Sequence, residues 1–255
     1  MYLWSIAGGA DRVSRWASLL AALGLVAQGV AIALDCAHAH RVAIINLAES
    51  LMFISWTLTG LYLLMERRFR MPALGAFATL VSACLIVVAS SLPGSINAAL
   101  LPALQSHWNA VPTITCLLGY SGFTLAFGSA VVYAIQARML KTKRINVIQR
   151  RLPSLDVADR FAYKMVSIGF PMLTLGIITG SLWAQTAWNS YWNWDPKETW
   201  SLITWLIYAA YLHVRIVSRR RDKWANRLLI IGFLCVLITF IGVNLLGSGL
   251  HIYSW

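Results

Sequence analysis

Along most of the chain the apolar residues form long, nearly unbroken runs, unlike the stripes of a surface helix or the alternation of a half-buried strand. Seven such runs can be read, at 16–34, 43–64, 72–91, 113–136, 161–183, 200–217 and 227–246. At 1.5 Å per residue, roughly 20 residues cross the hydrocarbon core of a bilayer, about 30 Å thick. The pattern therefore predicts an all-α integral membrane protein of about seven transmembrane helices, a single polytopic domain over 1–255. Composition agrees and excludes a soluble globular domain: 59% of residues are hydrophobic, 12% are charged, and the mean hydropathy is +0.67.

Charge changes the picture in one respect. There are 21 basic and 9 acidic residues, a net charge of +12 that in a soluble chain would suggest nucleic acid. Four basic segments, 11–15, 66–70, 138–164 and 215–227, hold every Lys and Arg except Arg41 and Lys197. Seven spans put all four segments on one face, so the charge reads as a positive-inside topology signal and no surplus is left for nucleic acid. The expected orientation has the N-terminus inside and the C-terminus outside. Residues 138–160 read as a basic inner-face linker, too short to bury a core of its own. Asp11 and the lack of a small-residue cleavage site argue against a cleaved signal peptide, so 16–34 is expected as a retained span. Cys36, Cys84, Cys116 and Cys235 stand singly, with no C-x-x-C and no C-x-x-C-H, which excludes a thiol carrier and a cytochrome with attached haem. No fixed-period repeat supports a transporter.

Candidate chemistry concentrates between the fifth and sixth runs. Six of the 12 tryptophans, Trp183, Trp188, Trp192, Trp194, Trp200 and Trp205, fall within a short stretch. An interfacial aromatic belt would distribute Trp over both faces, and here belt positions are expected only for Trp183 and Trp205. The remainder, edged by Asn189, Asn193, Asp195, Lys197 and Glu198, predict an outer loop over 184–200 whose flat apolar surface suits a planar aromatic ligand.

The string Trp188-Asn-Ser-Tyr-Trp192-Asn-Trp194-Asp195-Pro196-Lys197-Glu198-Thr-Trp200 resembles the WWD signature of the haem-handling proteins of cytochrome c biogenesis. Its Lys-Glu-Thr-Trp ending, with Tyr211-Leu-His213-Val-Arg215 beyond, is similar to the CcsA (ResC) branch of the system II cytochrome c synthase. Asn46-Leu-Ala-Glu49-Ser50, Leu152-Pro-Ser-Leu-Asp156, Gly169-Phe-Pro171, Gly242-Val-Asn244 and Gly249-Leu-His251 carry the same resemblance. It implies a haem-handling subunit in a bacterial cytoplasmic or thylakoid membrane, working with a CcsB/ResB-type membrane subunit. Haem b would be held non-covalently in transit and presented for thioether attachment to the C-x-x-C-H cysteines of apocytochrome c. Trp188, Trp192, Trp194, Asp195 and Trp200 would form the haem surface, with His251 as an outer axial ligand and His213 serving a second, intramembrane haem. No side chain is expected to act as nucleophile or acid-base catalyst.

One departure from the family pattern matters. Where the first outer axial histidine is usual, this chain has Pro112, which offers iron no donor. His107 lies five residues earlier and could substitute, whereas His38 and His40 match only loosely. The outer iron is thus expected to be five-coordinate, to use His107, or to belong to a CcsA-derived haem chaperone or structural subunit without ligation activity. Glu49, a charge inside the second run, is expected to pair with a histidine, line the haem path, or bond to another helix.

Overall fold

The structure is a computed structural model; it describes residues 2, 11–92, 107–142, 152–217 and 223–243. The described residues contain helices and no strand, in the order α1 (Asp11–Ala39), α2 (Leu47–Phe69), α3 (Pro72–Ser91), a 3-10 turn (His107–Asn109), α4 (Ala110–Lys141), α5 (Leu155–Trp188), α6 (Pro196–Ile216) and α7 (Lys223–Leu237), which continues as a π-helical turn, Ile238–Gly242. Each of the seven apolar runs falls for the most part within a described helix, and the run at 72–91 has the bounds of α3. Six of these helices, not the expected seven, are long and apolar enough to cross a membrane. α6 is the one that falls short. Its 21 residues are sufficient in length, but Trp200, Trp205, Tyr208, Tyr211, His213 and Arg215 dilute its apolarity.

α4 and α5 run antiparallel through the centre and approach so closely that glycine is required between them. A Cβ added to Gly169 would stand 2.9 Å from the Gly119 carbonyl oxygen, and one added to Gly119 would stand 3.1 Å from the Gly169 oxygen. Ser129 donates across the same seam to the Ala158 carbonyl at 2.7 Å. Small residues suit helix pairs in lipid, where close packing and hydrogen bonds, not water exclusion, hold helices together.

The other helices attach through buried hydroxyls and rings. α2 meets α3 through Thr59 and Ser82 (2.9 Å) and meets α4 through Thr57 and Ser121 (2.6 Å). α6 is held by a Thr204–Thr239 bond of 3.2 Å and by a Phe123–Tyr208 stack with centroids 3.6 Å apart. Asn226 donates to the Ala130 carbonyl at 3.2 Å and fixes α7 on α4.

Antiparallel packing sorts the charges. The α4 C-terminus (Arg138, Lys141), the α5 N-terminus (Arg160), Arg215 of α6 and Arg227 of α7 gather at one end of the bundle, while Lys197 and the Trp loop lie at the other.

Gly169→Ala is expected to wedge α4 from α5, costing about 1–3 kcal/mol as an overpacked contact. Thermal unfolding in detergent checks this; a midpoint equal to the parent's would contradict the close approach.

Candidate functional site

The end of the bundle opposite the basic segments is built by four helix termini: the N-termini of α2, α4 and α6 and the C-terminus of α5. The non-helical part of the expected 184–200 loop is short, because α5 continues to Trp188 and α6 starts at Pro196. The connection reverses sharply. Asn189 caps α5 in the left-handed region at φ 55°, and Trp194 has the same unusual φ of 55°, costly for a bulky aromatic residue and maintained only where the surroundings impose it.

A capping box imposes it here. The Asp195 side chain accepts from the Lys197 N–H at 3.1 Å, while one Glu198 carboxylate oxygen accepts from the backbone N–H of Asn193 at 2.8 Å and of Asp195 at 3.3 Å. These bonds satisfy donors that a helix start leaves open. Asp195, expected in the haem surface, is buried and occupied in this way.

The tryptophans do not form one flat sheet. Trp183 and Trp188 pack edge-to-face at 4.9 Å and 79°, and Trp192 and Trp194 do the same at 5.9 Å and 86°. Trp194 projects from the loop, 70% exposed, whereas Trp200 is half-buried on the first turn of α6. Trp183, expected in an interfacial belt, is buried instead and walls a cavity. Trp205 donates to Thr174 at 2.9 Å and leans on Phe170, which is a packing role.

The cavity, about 140 Å³, opens between α4, α5 and the loop. Trp192, Tyr191 and Trp183 form its aromatic wall, Tyr120 and Phe240 line its apolar part, and Lys197, Glu198, Asn46 and Asn109 contribute polar groups. Such a mixture, mostly apolar with a few placed polar groups, is that of a ligand site. The volume is small for a tetrapyrrole, so a macrocycle here would lie partly across the mouth and against the exposed Trp194. Pro112 stands buried in the wall, one turn from Cys116, facing Gly180 of α5.

The histidines are dispersed. No histidine side chain among the described residues lines the cavity. His107 begins the 3-10 turn that leads to Asn109, but its side chain lies outside the described residues, as does all of His251. His213 is exposed on the last turn of α6, at the opposite end, beside Arg215, which makes a buried 2.9 Å ion pair with Asp159. The structure thus separates His213 from the Trp loop.

Glu49 does not pair with a histidine. Both its oxygens accept from the Arg41 guanidinium, at 2.8 and 2.9 Å, and one also accepts the Ile45 N–H at 2.8 Å. The bond to Glu49 raises the Arg41 pKa further above its ordinary value. This fastens the α1–α2 turn beside Asn46, which caps α2 and lines the cavity. Sequence reading passed over Asn109, Cys116, Tyr120, Gly176 and Gly180. Their signal was the three- and four-residue spacing that puts each group on one helix face.

The profile of the family described as "Cytochrome C assembly protein" matches residues 44–251. Fold and sequence together define an all-α, multi-span membrane protein that belongs to this family. Within it the chain is of the CcsA type: it is 36% identical over 280 residues to the cytochrome c biogenesis protein CcsA of Prochlorococcus marinus (strain NATL1A), covering 99% of this chain and 88% of the relative. The CcsA proteins of Pyropia yezoensis and Marchantia polymorpha are 37% and 38% identical, each covering 82% of this chain and 78% of the relative. A solved structure, the cytochrome c haem lyase CcmF, shares the fold with a TM-score of 0.71 at 22% identity; 94% of this chain is covered, but only 43% of that one.

Glu198→Ala removes one half of the capping box, with an expected loss of about 1 kcal/mol. Limited proteolysis should then cut within 189–195 faster than in the parent while helicity is retained. Equal cleavage would count against the role of Glu198 in holding the loop.

Proposed function

We propose that this chain handles haem for cytochrome c maturation, presenting it at the Trp-loop end for thioether attachment to apocytochrome c. The observation that carries the reading is the cavity whose aromatic wall, Trp192, Tyr191 and Trp183, continues into the exposed Trp194 of the WWD-like loop. Aromatic faces and edges hold a porphyrin by area and by ring geometry. Lys197 and the amides Asn46 and Asn109 supply the polar side, with Lys197 suited to a haem propionate. Each thioether forms by adding a thiol S–H across a haem vinyl group: sulfur bonds to one vinyl carbon, hydrogen goes to the other, and nothing leaves. The protein's part is positioning.

In this reading haem b is substrate in transit, His251 is an outer axial ligand, and His213 serves a second haem site completed by a CcsB/ResB-type subunit. The exposure of His213 at the bundle surface is what a ligand shared with a partner chain requires. The basic end faces the cytoplasm or stroma and the Trp loop the opposite compartment, because the Lys and Arg segregation follows the positive-inside rule.

Trp192→Ala with Trp194→Ala is expected to lower co-purified haem at least several-fold, read as Soret absorbance per protein. Unchanged haem content would defeat the proposal.

A second reading, a haem chaperone or structural subunit without ligation activity, rests on Pro112, which is buried in the cavity wall where the family pattern has histidine. Pro112→His should convert a five-coordinate haem to a low-spin, six-coordinate spectrum if that ligand is missing. If His107 has taken its place, the parent is already low-spin and His107→Ala causes the loss. Covalent cytochrome formed on co-expression with a CcsB-like subunit would reject the non-ligating reading.

A further inference from the structure

Toward the basic end four helices meet on small side chains. Ala130 of α4, Ala158 and Ala162 of α5 and Ala225 of α7 are all buried there, and they border an internal cavity of about 10 Å³. It is distinct from the cavity at the Trp loop, with which it shares no lining residue. Its polar wall comes from Ser129, Asp159, Tyr211 and Asn226, one residue from each of α4, α5, α6 and α7.

Hydrogen bonding at this wall is incomplete in a particular way. Tyr211 is 1% exposed, and its hydroxyl meets no hydrogen-bond partner within the protein. Arg215, one turn further along α6, cannot supply what is missing: a guanidinium has donors only, and a phenolic proton needs an acceptor. Acceptors do line the same cavity. The Asp159 carboxylate forms a 2.9 Å ion pair with Arg215 and has lone pairs beyond it, and Ser129 gives its own proton to the Ala158 carbonyl at 2.7 Å, so its oxygen can still accept. Charge and size then limit what can bridge donor to acceptors. Asp159 is balanced by Arg215, and Ser129, Tyr211 and Asn226 are neutral, so the wall holds no net charge to retain an ion. A cavity of roughly 10–15 Å³ with two to four polar partners accommodates one water molecule.

We infer that this cavity binds one ordered water, which accepts a hydrogen bond from the Tyr211 hydroxyl and donates to the Asp159 carboxylate and the Ser129 oxygen. The water is a bond common to α4, α5 and α6. Asn226, on the same wall and donating to the Ala130 carbonyl at 3.2 Å, brings α7 to that point. Nearer mid-bundle the hydroxyls of neighbouring helices reach one another directly, as Thr57 and Ser121 do at 2.6 Å; here the alanines keep the polar groups a water's width apart. His213 stands two residues beyond Tyr211, so the bridge also steadies the turn of α6 from which His213 is exposed. The site is independent of the haem reading.

The test is microsecond X-ray radiolysis of the full chain in detergent and isotope-labelled water, with the oxygen taken up by each tyrosine read by mass spectrometry. Radicals made from a bound water modify the side chain beside it, whereas radicals from bulk water do not reach a buried ring. Tyr208 is the internal control: it is equally buried, but it is stacked on Phe123 and lines neither cavity. Tyr211 is expected to take up labelled oxygen at least several-fold faster than Tyr208. Ala225→Val fills the cavity from α7 and should bring Tyr211 down to the Tyr208 level. Equal uptake by the two tyrosines in the parent overturns the water site, and so does uptake at Tyr211 that survives Ala225→Val. Should that variant fold poorly, Ala162→Val fills the cavity from α5 and is read in the same way.

Discussion

The backbone-to-backbone approach of α4 and α5 sets the position of everything around it. With Gly119 and Gly169 facing each other, the two helices leave no room for side chains between them, and a Cβ at either position would fall near 3 Å from a carbonyl oxygen. The same run of small residues then produces the cavity. Gly176, Gly180 and Ala184 continue along α5 at four-residue spacing; Gly176 is still tight under Cys116 of α4, but at Gly180 the opposing Pro112 is only in ordinary contact, 3.6 Å from where a Cβ would stand, and the cavity opens at this end. One sequence pattern thus gives tight packing at mid-bundle and a hollow at its end.

Polar groups are distributed by what each depth in a membrane permits. In the interior they are short hydroxyls that bond to a carbonyl or to each other, such as Thr57 with Ser121 and Thr204 with Thr239. Two inward-facing ion pairs lie near the two ends, Arg41 with Glu49 and Arg215 with Asp159. Removing one member of such a buried pair leaves an uncompensated charge, which costs far more than the pair contributes. Their location at helix ends lets each pair fasten a connection without placing charge at mid-membrane.

Much of this was legible in the chain. Apolar runs marked every described helix, because in lipid the hydrogen-bonded helix is the only structure that such a run can form alone. The tryptophans were found by their skew, and Trp192 does face the cavity. The count of spans was not legible, since α6 mixes aromatic and polar groups whose protein partners only the fold supplies. Glu49 was misread for a related reason: its partner Arg41 lies outside the helix, across a turn that run lengths do not describe. Asp195 and Glu198 looked like ligand-edge groups, although Asp-Pro-x-Glu before an apolar run is also a helix-start pattern, and the structure uses it as one. Gly169-Phe-Pro171, quoted for its resemblance, carries a helix contact whose meaning depends on Gly119 far away in sequence.

The distance between the two positions proposed to hold haem constrains how they could cooperate. From Trp200 to His213 α6 rises about 20 Å, so one macrocycle cannot engage both. An interior path between them is closed: Tyr208 is fully buried and stacked on Phe123 with a separation of 3.6 Å, and Tyr211 is buried one turn below. The opposite face of α6 is open, with Leu206, Ala210 and His213 exposed in line. A ligand held at His213 would therefore have to move along the outer surface of α6, where a second membrane subunit would form the other wall. A partner bound at α6, as proposed, would supply enclosure as well as a ligand, since the buried Tyr208 and Tyr211 stand behind that face.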